Sequence, residues 1–225
     1  MNISSRLISS FAALFCLTGS SNAAQLNIPA VYQQTKVWCW AASAEMVFRH
    51  YGVRSISNVS YQCGIVNALG GACFQNCANC VIAGGMMQNI ANIISRYPAT
   101  AVQVLNAQVR AIAATNMQSW FPTEIIHDNI NSGHPIIVGI SPGEVSMQYP
   151  PGASQHVAVL TGITGDGPPA VLTINDPYPF ESGQNPYIVA GGQQVALGQY
   201  HISHNAFTNR LRWTNSIIVR PGPPR

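Results

Sequence analysis

Residues 33–52 read QQTKVWCWAASAEMVFRHYG, and this stretch decides how the rest of the chain is interpreted. The Ala, Met, Glu and Arg residues that follow Cys39 favour a helix. Apolar residues recur there at three- and four-residue spacing, which predicts one apolar helical face. The residues of that face are Ala44, Val47, Phe48 and Tyr51. Gly52 predicts the end of the helix, because glycine adopts a left-handed conformation past a helix at the least cost.

Cys39 falls in the first turn of this predicted helix. Backbone N–H groups there have no partner within the helix, and the aligned peptide dipoles present partial positive charge. Both effects favour a thiolate, which is the nucleophilic form of cysteine. The position therefore suits a catalytic nucleophile. The alternative is a structural cysteine buried beside Trp38 and Trp40, because unpaired cysteine is among the most buried residue types.

Composition predicts a single folded domain, or at most two lobes that share a core. The chain has 225 residues and 47% of them are hydrophobic, which suits one domain and excludes a disordered chain. Only 8% are charged, against roughly 25% in typical soluble proteins, so the surface depends on uncharged polar residues. The net charge of +3 comes without a run of Lys or Arg, so no nucleic-acid partner or anionic membrane is expected.

Residues 1–24 predict a signal peptide. They combine a short positive start, an apolar run over residues 7–18 and small residues up to Ala24, which is the pattern of an export signal cleaved after Ala23 or Ala24. The apolar run is shorter than the roughly 20 residues of a membrane span, and no later segment approaches that length. We therefore expect an exported chain, secreted or periplasmic, that starts near Ala24 or Gln25 and has no membrane anchor.

The mature chain is expected to contain an odd number of cysteines. Loss of Cys16 with the signal peptide leaves Cys39 and four cysteines within residues 63–80, a glycine-rich loop with little local core. The four are Cys63, Cys73, Cys77 and Cys80. Two disulfides among them would staple the loop, with three pairings possible, and would leave Cys39 as the free thiol of an exported protein.

Two alternatives remain for the clustered cysteines. A zinc site with four thiolates is suggested by the Cys-x-x-Cys spacing of Cys77 and Cys80, but there is no second short pair and the expected compartment is oxidising. A redox-active pair of the same two cysteines is expected to lie between a strand and a helix, and the sequence predicts neither there. Disulfides are therefore the favoured interpretation.

The order of the predicted elements indicates an α+β fold. Further helices are predicted to start at residues 57–61 and lead into the cysteine loop, and to cover residues 86–97 and 120–131, the second of them ended by Pro98. Short β-branched runs predict strands, with a weaker signal at residues 102–105. These runs are residues 134–140, 156–163, 170–177 and 213–219, and the last precedes a proline-rich end that we expect to fray. No βαβ unit alternates, so we expect a helical lobe at about residues 32–132 packed against an antiparallel β lobe at about residues 133–220.

A cysteine nucleophile needs a base, and the base needs an acceptor that orients it. His156 opens one β-branched run and Asp176 closes the next. If these runs pair as an antiparallel hairpin, the start of the first lies beside the end of the second. The imidazole and the carboxylate then share one sheet edge, within hydrogen-bonding reach. Asn175 is the nearest substitute for Asp176, although strand alternation points it to the other face.

Other histidines fit the role of base less well. His134 is followed by Pro135 and has no acidic residue in register, and His50 lies eleven residues beyond Cys39 on the same helix. His201 and His204 fall in a polar stretch that we interpret as a loop. We expect these four to be solvated histidines or histidines satisfied by structural hydrogen bonds.

The oxyanion that forms during acyl transfer needs hydrogen-bond donors. The backbone N–H of Cys39 at the helix start supplies one, and the side-chain amide of Gln33 is a candidate for another. Gln34 is interpreted as a plain loop residue. Trp38 and Trp40 are candidates for walls of a substrate cleft, and the alternative is that both are core aromatics.

These blocks resemble the papain-like cysteine proteases of bacteria. The similarity is closest to the secreted avirulence-effector proteases and to the bacteriocin-leader peptidase branch, and it spans about residues 32–219. It is carried by Gln33-x5-Cys39 with the surrounding Trp-Cys-Trp-Ala-Ala-Ser, Tyr51-Gly52, Gly133-His134-Pro135-Ile136-Ile137-Val138, His156-Val157-Ala158-Val159 and Asn175-Asp176-Pro177. The cysteine-dense loop over residues 63–80 is unlike papain, so substrate preference is not carried over.

The resemblance implies a role for each matching residue. Cys39 would be the nucleophile, His156 the general base and acid, Asp176 the orienting carboxylate and Gln33 the oxyanion donor. It also implies a papain-like peptidase domain over residues 25–225, with the cleft between a helical and a β lobe.

Three functional hypotheses follow. The first is an exported cysteine peptidase that acts as a monomer on protein or peptide substrates, without a cofactor or metal, through a thioester at Cys39. The second keeps the same groups but changes the substrate or the acyl acceptor, as in a transglutaminase or a cell-wall amidase. The third is a disulfide-stapled binding protein without activity.

Overall fold

The structure is a computed structural model that describes residues 23–142, 155–166, 169–181 and 184–224. The predicted signal peptide lies outside these ranges except for its last two residues, Ala23 and Ala24. Both belong to a short strand, and Ala24 is buried opposite Ile163. Within the described ranges, no helix is both long enough and apolar enough to cross a membrane.

The described residues form helices and strands in mixed order. The helices are α1 (Cys39–His50), α2 (Tyr61–Asn67), α3 (Ala72–Gln75), α4 (Met87–Leu105), α5 (Thr123–Asn131), α6 (Pro186–Val189) and α7 (His204–Asn209), with a 3₁₀ turn at Cys77–Cys80. The strands are β1 (Ala23–Gln25), β2 (Arg110–Met117), β3 (Ile136–Ile140), β4 (His156–Thr164), β5 (Val171–Asn175), β6 (Gln193–Ala196), β7 (Gln199–Ser203) and β8 (Trp213–Pro224).

Helix α1 follows the prediction closely. It begins at Cys39 and ends at His50, and Gly52 has the left-handed φ of +71° that was expected past its end. Ala44, Val47 and Phe48 are buried, as their spacing predicts. The helix packs on β4, where the hydroxyl of Ser43 donates to the carbonyl of Val157 at 3.4 Å.

The described strands form one antiparallel sheet. Their order in the sheet is β2-β8-β3-β4-β5-β7-β6, and β1 pairs with β4 outside this order. Alternate residues of its central strands enter two different buried clusters. Ile137, Val157 and Val159 pack towards α1 and α4, whereas Val138 and Ala158 pack towards α5 and α7. Both faces of the centre are therefore covered, which explains the continuous apolar runs of β3 and β4. The predicted α+β class is correct.

Helix α4 continues seven residues beyond its predicted end at Pro98, and the strand predicted at residues 102–105 is wrong because these residues are helical. A proline inside a helix removes one backbone hydrogen bond. Packing compensates here, since Tyr97, Pro98 and Ala101 are all buried. The ring of Tyr97 stacks on Phe48 with 4.6 Å between centroids.

The proline-rich end is ordered, because it forms the last part of β8 and pairs with β2. Strand β2 was not predicted from the sequence. Ile112 lies opposite Pro221, and Arg110 lies opposite Pro224. Beyond Ile218, β2 is the one neighbour of β8 among the described strands, because β3 pairs with residues 213–218. Proline is tolerated in a strand with one open side, since its missing N–H can face that side. The expectation of a frayed end is therefore wrong.

Residues 186–209 are also more regular than predicted. They form α6, the β6–β7 hairpin and α7, so His201 lies in a strand and His204 starts a helix instead of lying in a loop. α6 has four residues and β6 is exposed along its length. Neither has the length or the apolar alternation that a sequence pattern needs.

Candidate functional site

The predicted nucleophile lies at the start of α1. Cys39 is the first residue of the helix, it is half-buried, and it is the free cysteine of the described residues. Its backbone N–H lies in the first turn, where the helix itself offers no carbonyl partner. This is the position that the helical pattern predicted for it.

His156 and Asp176 meet as the predicted hairpin requires. β4 and β5 pair antiparallel with Val159 opposite Asn175, so the start of β4 lies beside the end of β5. The imidazole Nε2 of His156 lies 2.8 Å from Oδ1 of Asp176. The two residues are 4% and 0% exposed, so this pair is shielded from water.

Asp176 is held on both of its carboxylate oxygens. The backbone N–H of Tyr178 donates to Oδ1 at 2.8 Å, and the hydroxyl of Tyr187 donates to Oδ2 at 2.7 Å. Tyr187 is fully buried and stacks on Tyr200, with 4.3 Å between ring centroids and 6° between planes. Three donors, counting His156, therefore stabilise the buried charge. Sequence reasoning missed Tyr187, because nothing in a four-residue helix marks it.

The surroundings of His156 favour its protonated form. Burial by itself lowers the pKa of His156. The charge of Asp176 and its hydrogen bond, together with the hydrogen bond and charge of Cys39, outweigh burial and raise the pKa to about 10. Because Asp176 takes Nε2, Nδ1 is the ring nitrogen that remains for the thiol of Cys39. The imidazole thus joins the predicted nucleophile to the predicted orienting carboxylate.

Gln33 and Gln34 have different surroundings. The amide nitrogen of Gln33 donates to the carbonyl of Thr35 at 2.7 Å, and its backbone N–H donates to the carbonyl of Pro177 at 2.9 Å, which ties it to the segment after Asp176. A primary amide carries two N–H donors, and this bond uses one of them. Gln34 instead accepts from the hydroxyl of Ser60 and donates its backbone N–H to Gln62, as befits a structural loop residue.

The four clustered cysteines form two disulfides, Cys63–Cys77 and Cys73–Cys80. Their sulfur atoms are consumed, so the zinc site and the redox pair of Cys77 with Cys80 are both wrong. In the part of the chain that the structure describes, no group of three or more His, Cys, Asp or Glu side chains is arranged to hold a metal ion.

The disulfide loop covers both tryptophans beside Cys39. The indole N–H of Trp38 donates to the carbonyl of Cys80 at 3.2 Å, and that of Trp40 donates to the carbonyl of Ile82 at 3.1 Å. Trp38 is 3% exposed and Trp40 is 1% exposed. Because they expose almost no surface to a substrate, Trp38 and Trp40 fit the alternative that they are core aromatics better than the prediction that they contact substrate. Both fix the loop beside the nucleophile.

Gly84 packs directly on the ring of Trp40. A Cβ added there would lie 2.7 Å from Cγ of Trp40, a separation that real Cβ contacts do not show. We expect Gly84→Ala to lower the free energy of unfolding by about 1–3 kcal/mol, because the buried indole has no room to move. Urea denaturation measures this. Gly222→Ala is the control, because its Cβ would meet only Ala111 at 3.1 Å or more. Equal stability of both variants with the wild type would contradict this close packing.

The remaining predicted candidates lie apart from this cluster. Asn175 donates to the carbonyl of Ile28 at 2.7 Å, and it accepts from Gln199, so it does not replace Asp176. His50 contacts the carbonyl of Gly133 at 3.0 Å, and His204 contacts that of Phe121 at 2.8 Å. The others are His201, which is exposed on β7, and His134, which is half-buried before β3. His50 and His204 are thus held by structural hydrogen bonds and His201 is exposed to solvent, in keeping with the expectation.

Comparison with known proteins gives a family and a fold. The sequence profile described as Peptidase_C39 like family matches residues 25–206. Among solved structures, the chain is similar to digestive procathepsin L 3 of the Tenebrio molitor larval midgut, with a TM-score of 0.51 and 12% identity over 93% of this chain and 72% of that chain. That likeness shows a papain-like fold. No curated protein matches the chain.

Proposed function

The chain belongs to the Peptidase_C39 like family, and from that premise we propose that it is a cysteine peptidase with Cys39 as nucleophile, His156 as general base and acid, and Asp176 as the orienting carboxylate. The observation that carries the proposal is the imidazole of His156, which is bonded to Asp176 at 2.8 Å and lies close enough to Cys39 for that side chain to help raise its pKa. Covalent catalysis requires a nucleophile that lies beside a base, and a third group that orients the base.

Acylation begins with the Cys39 thiolate. Its sulfur attacks the carbonyl carbon of the scissile peptide bond, and the backbone N–H of Cys39 and the amide of Gln33 donate to the oxyanion that forms. The imidazolium of His156 gives its proton to the leaving nitrogen, the C–N bond breaks, and the new amine departs. A thioester between Cys39 and the acyl part of the substrate remains.

Deacylation uses the same groups in reverse. Neutral His156 takes a proton from water, and the hydroxide formed attacks the thioester carbon. The C–S bond breaks, the acid product leaves, and the sulfur returns as thiolate beside the protonated imidazole. Asp176 keeps the ring oriented throughout and stabilises its positive charge, while its own oxygens stay bonded to Tyr178 and Tyr187.

The protein is further proposed to be exported, to the periplasm or the medium. Residues 1–24 have the pattern of a signal peptide. The two disulfides of the Cys63–Cys80 loop support the proposal, because disulfides persist in oxidising compartments. N-terminal sequencing of the protein recovered from culture medium and periplasm tests it. A start at Ala24 or Gln25 is expected, and an intact Met1 in the cytoplasm alone would contradict export.

A comparison of three substrate classes tests the proposed reaction. The purified protein is incubated with a peptide library or casein, with muropeptides, and with a glutamine donor plus a labelled amine. We expect hydrolysis of peptide bonds in the library, abolished by iodoacetamide. Cleavage of muropeptides alone would favour an amidase, incorporation of the amine would favour a transglutaminase, and no reaction in any arm would favour a binding protein.

The raised pKa of His156 predicts an alkaline limit of activity. The leaving amine needs the proton of the imidazolium, so kcat/KM for peptide hydrolysis is expected to fall as the pH rises through about 10. Stability follows the same direction. Because the folded pKa lies above the ordinary value of 6.5, the stabilisation by protonated His156 is complete below about pH 6.5 and is lost as the pH rises through about 10.

The Asp176→Asn variant tests the cause of that limit. Asparagine keeps the shape of Asp176 but removes the charge that raises the pKa of His156, so the alkaline limb of the pH–kcat/KM profile is expected to move to lower pH. A limb at the same pH in Asp176→Asn and in the wild type would contradict the assignment of the shift to this carboxylate.

A further inference from the structure

A pocket of about 440 Å³ lies near the proposed catalytic site. Tyr32, which precedes Gln33, forms one wall, and Phe180 forms another with its ring centroid 6.4 Å from that of His156. Burial raises the pKa of Tyr32, and the charge of Asp176 raises it further, so Tyr32 lies within electrostatic reach of the His156–Asp176 pair. Two walls of the pocket therefore lie next to the proposed catalytic residues.

The far side of the pocket is apolar and exposed. Ile188 and Val189 of α6 are 47% and 48% exposed, and Leu197 in the β6–β7 turn is 73% exposed. The turn is fixed against Tyr32, since a Cβ on Gly198 would lie 3.4 Å from that ring. Exposed apolar side chains that form a contiguous patch mark a site where a ligand or another protein binds.

The chemistry of peptide cleavage indicates which part of a substrate lies there. Cys39 holds the acyl part, and His156 protonates the amine that leaves, so the residues after the scissile bond pass over His156. Phe180 brings one wall of the pocket to the imidazole, because its ring centroid lies 6.4 Å from that of His156. The leaving segment is thus the part of the substrate that reaches it.

We propose that this pocket binds the substrate residues that follow the scissile bond, and that it selects an apolar side chain with a basic residue beside it. Tyr32, Ile188 and Leu197 supply the apolar contacts. Glu181 is the charged side chain among the lining residues that the structure describes, and it has no cationic neighbour in that lining. A lysine or arginine in the leaving segment complements this carboxylate. The proposal rests on the proposed peptidase function.

Two substrates with the same acyl half separate binding in this pocket from catalysis. One is a quenched fluorescent peptide that continues past the scissile bond with an apolar residue and a lysine. The other ends at the scissile bond in a fluorogenic amide and has no leaving peptide. The variant is Ile188→Asp with Leu197→Asp, and the control is Val59→Asp, which changes an exposed apolar residue (82%) outside the pocket.

We expect the double variant to lose about tenfold or more in kcat/KM on the extended peptide and to match the wild type on the fluorogenic amide, while Val59→Asp matches the wild type on both. Equal losses on the two substrates, or no loss on either, would overturn the pocket's role. If the wild type cleaves neither substrate, the proposed peptidase function itself fails, which is a different result.

A second readout does not depend on the folding of the double variant. The wild-type cleavage products from the peptide library are expected to be enriched in apolar and basic residues after the scissile bond, and Glu181→Gln is expected to remove the basic preference alone. A library profile without any preference on that side, or a basic preference that survives in Glu181→Gln, would contradict the proposal.

Discussion

Cys39→Ala is expected to reduce peptide hydrolysis to the level of a blank reaction. No other described cysteine can replace the thiol, because Cys63, Cys73, Cys77 and Cys80 are paired in disulfides. Removal of a covalent nucleophile also removes the acyl-enzyme route entirely, and mutation of such a residue in known hydrolases costs on the order of 10⁶ in kcat. The measurement is kcat/KM on a cleaved library peptide.

Stability provides the control for this variant. Cys39 is half-buried and makes no disulfide, so Cys39→Ala is expected to unfold at nearly the same urea concentration as the wild type. Activity of the folded Cys39→Ala protein at a wild-type rate would exclude the thioester mechanism. A variant that is inactive but also unfolded is distinguished by its shifted urea midpoint, and Cys39→Ser then repeats the test with a closer replacement.

His156→Ala is expected to lower kcat/KM by about 10²- to 10⁴-fold, the range that general acid–base catalysis contributes. The imidazole is the proposed proton donor to the leaving amine, and Cys39 is among the groups that raise its pKa. The matched control is His201→Ala, which removes an exposed imidazole from β7 of the same sheet. We expect that control to keep wild-type kcat/KM, and equal activity of the two variants would contradict the role of His156.

Local patterns predicted the positions of Cys39, His156 and Asp176 because these residues lie at element boundaries. The start of α1 places Cys39, and the antiparallel pairing of β4 with β5 brings His156 beside Asp176. Both follow from periodicity and from the rule that a hairpin joins the start of one strand to the end of the next. Neither depends on contacts between residues distant in sequence, apart from the packing of α1 on β4.

The missed features depend on long-range packing. Tyr187 lies in a four-residue helix, where it bonds to Asp176 and stacks on Tyr200. Pro98 lies within a helix whose neighbouring Tyr97 packs on Phe48 of α1. Tertiary contacts of this kind override local propensity.

The number of cysteines predicted the two disulfides of the cysteine loop but not their pairing. An odd number of cysteines in a chain expected to be exported predicted one free thiol and two disulfides, and the structure has both disulfides. The pairing itself was open among three arrangements. The burial of Trp38 and Trp40 beneath the loop was open as well, because it depends on where Cys80 and Ile82 present their carbonyl groups.

The most direct test of the central claim, a Cys39 thiolate held by His156, is the rate of alkylation by iodoacetamide with peptide mapping at pH 6. In the native protein we expect modification at Cys39 alone and at a rate well above that of a free cysteine, because only the thiolate reacts. In His156→Ala the rate is expected to fall to that of free cysteine. Slow labelling of Cys39 in the wild type, or an undiminished rate in His156→Ala, would contradict the claim.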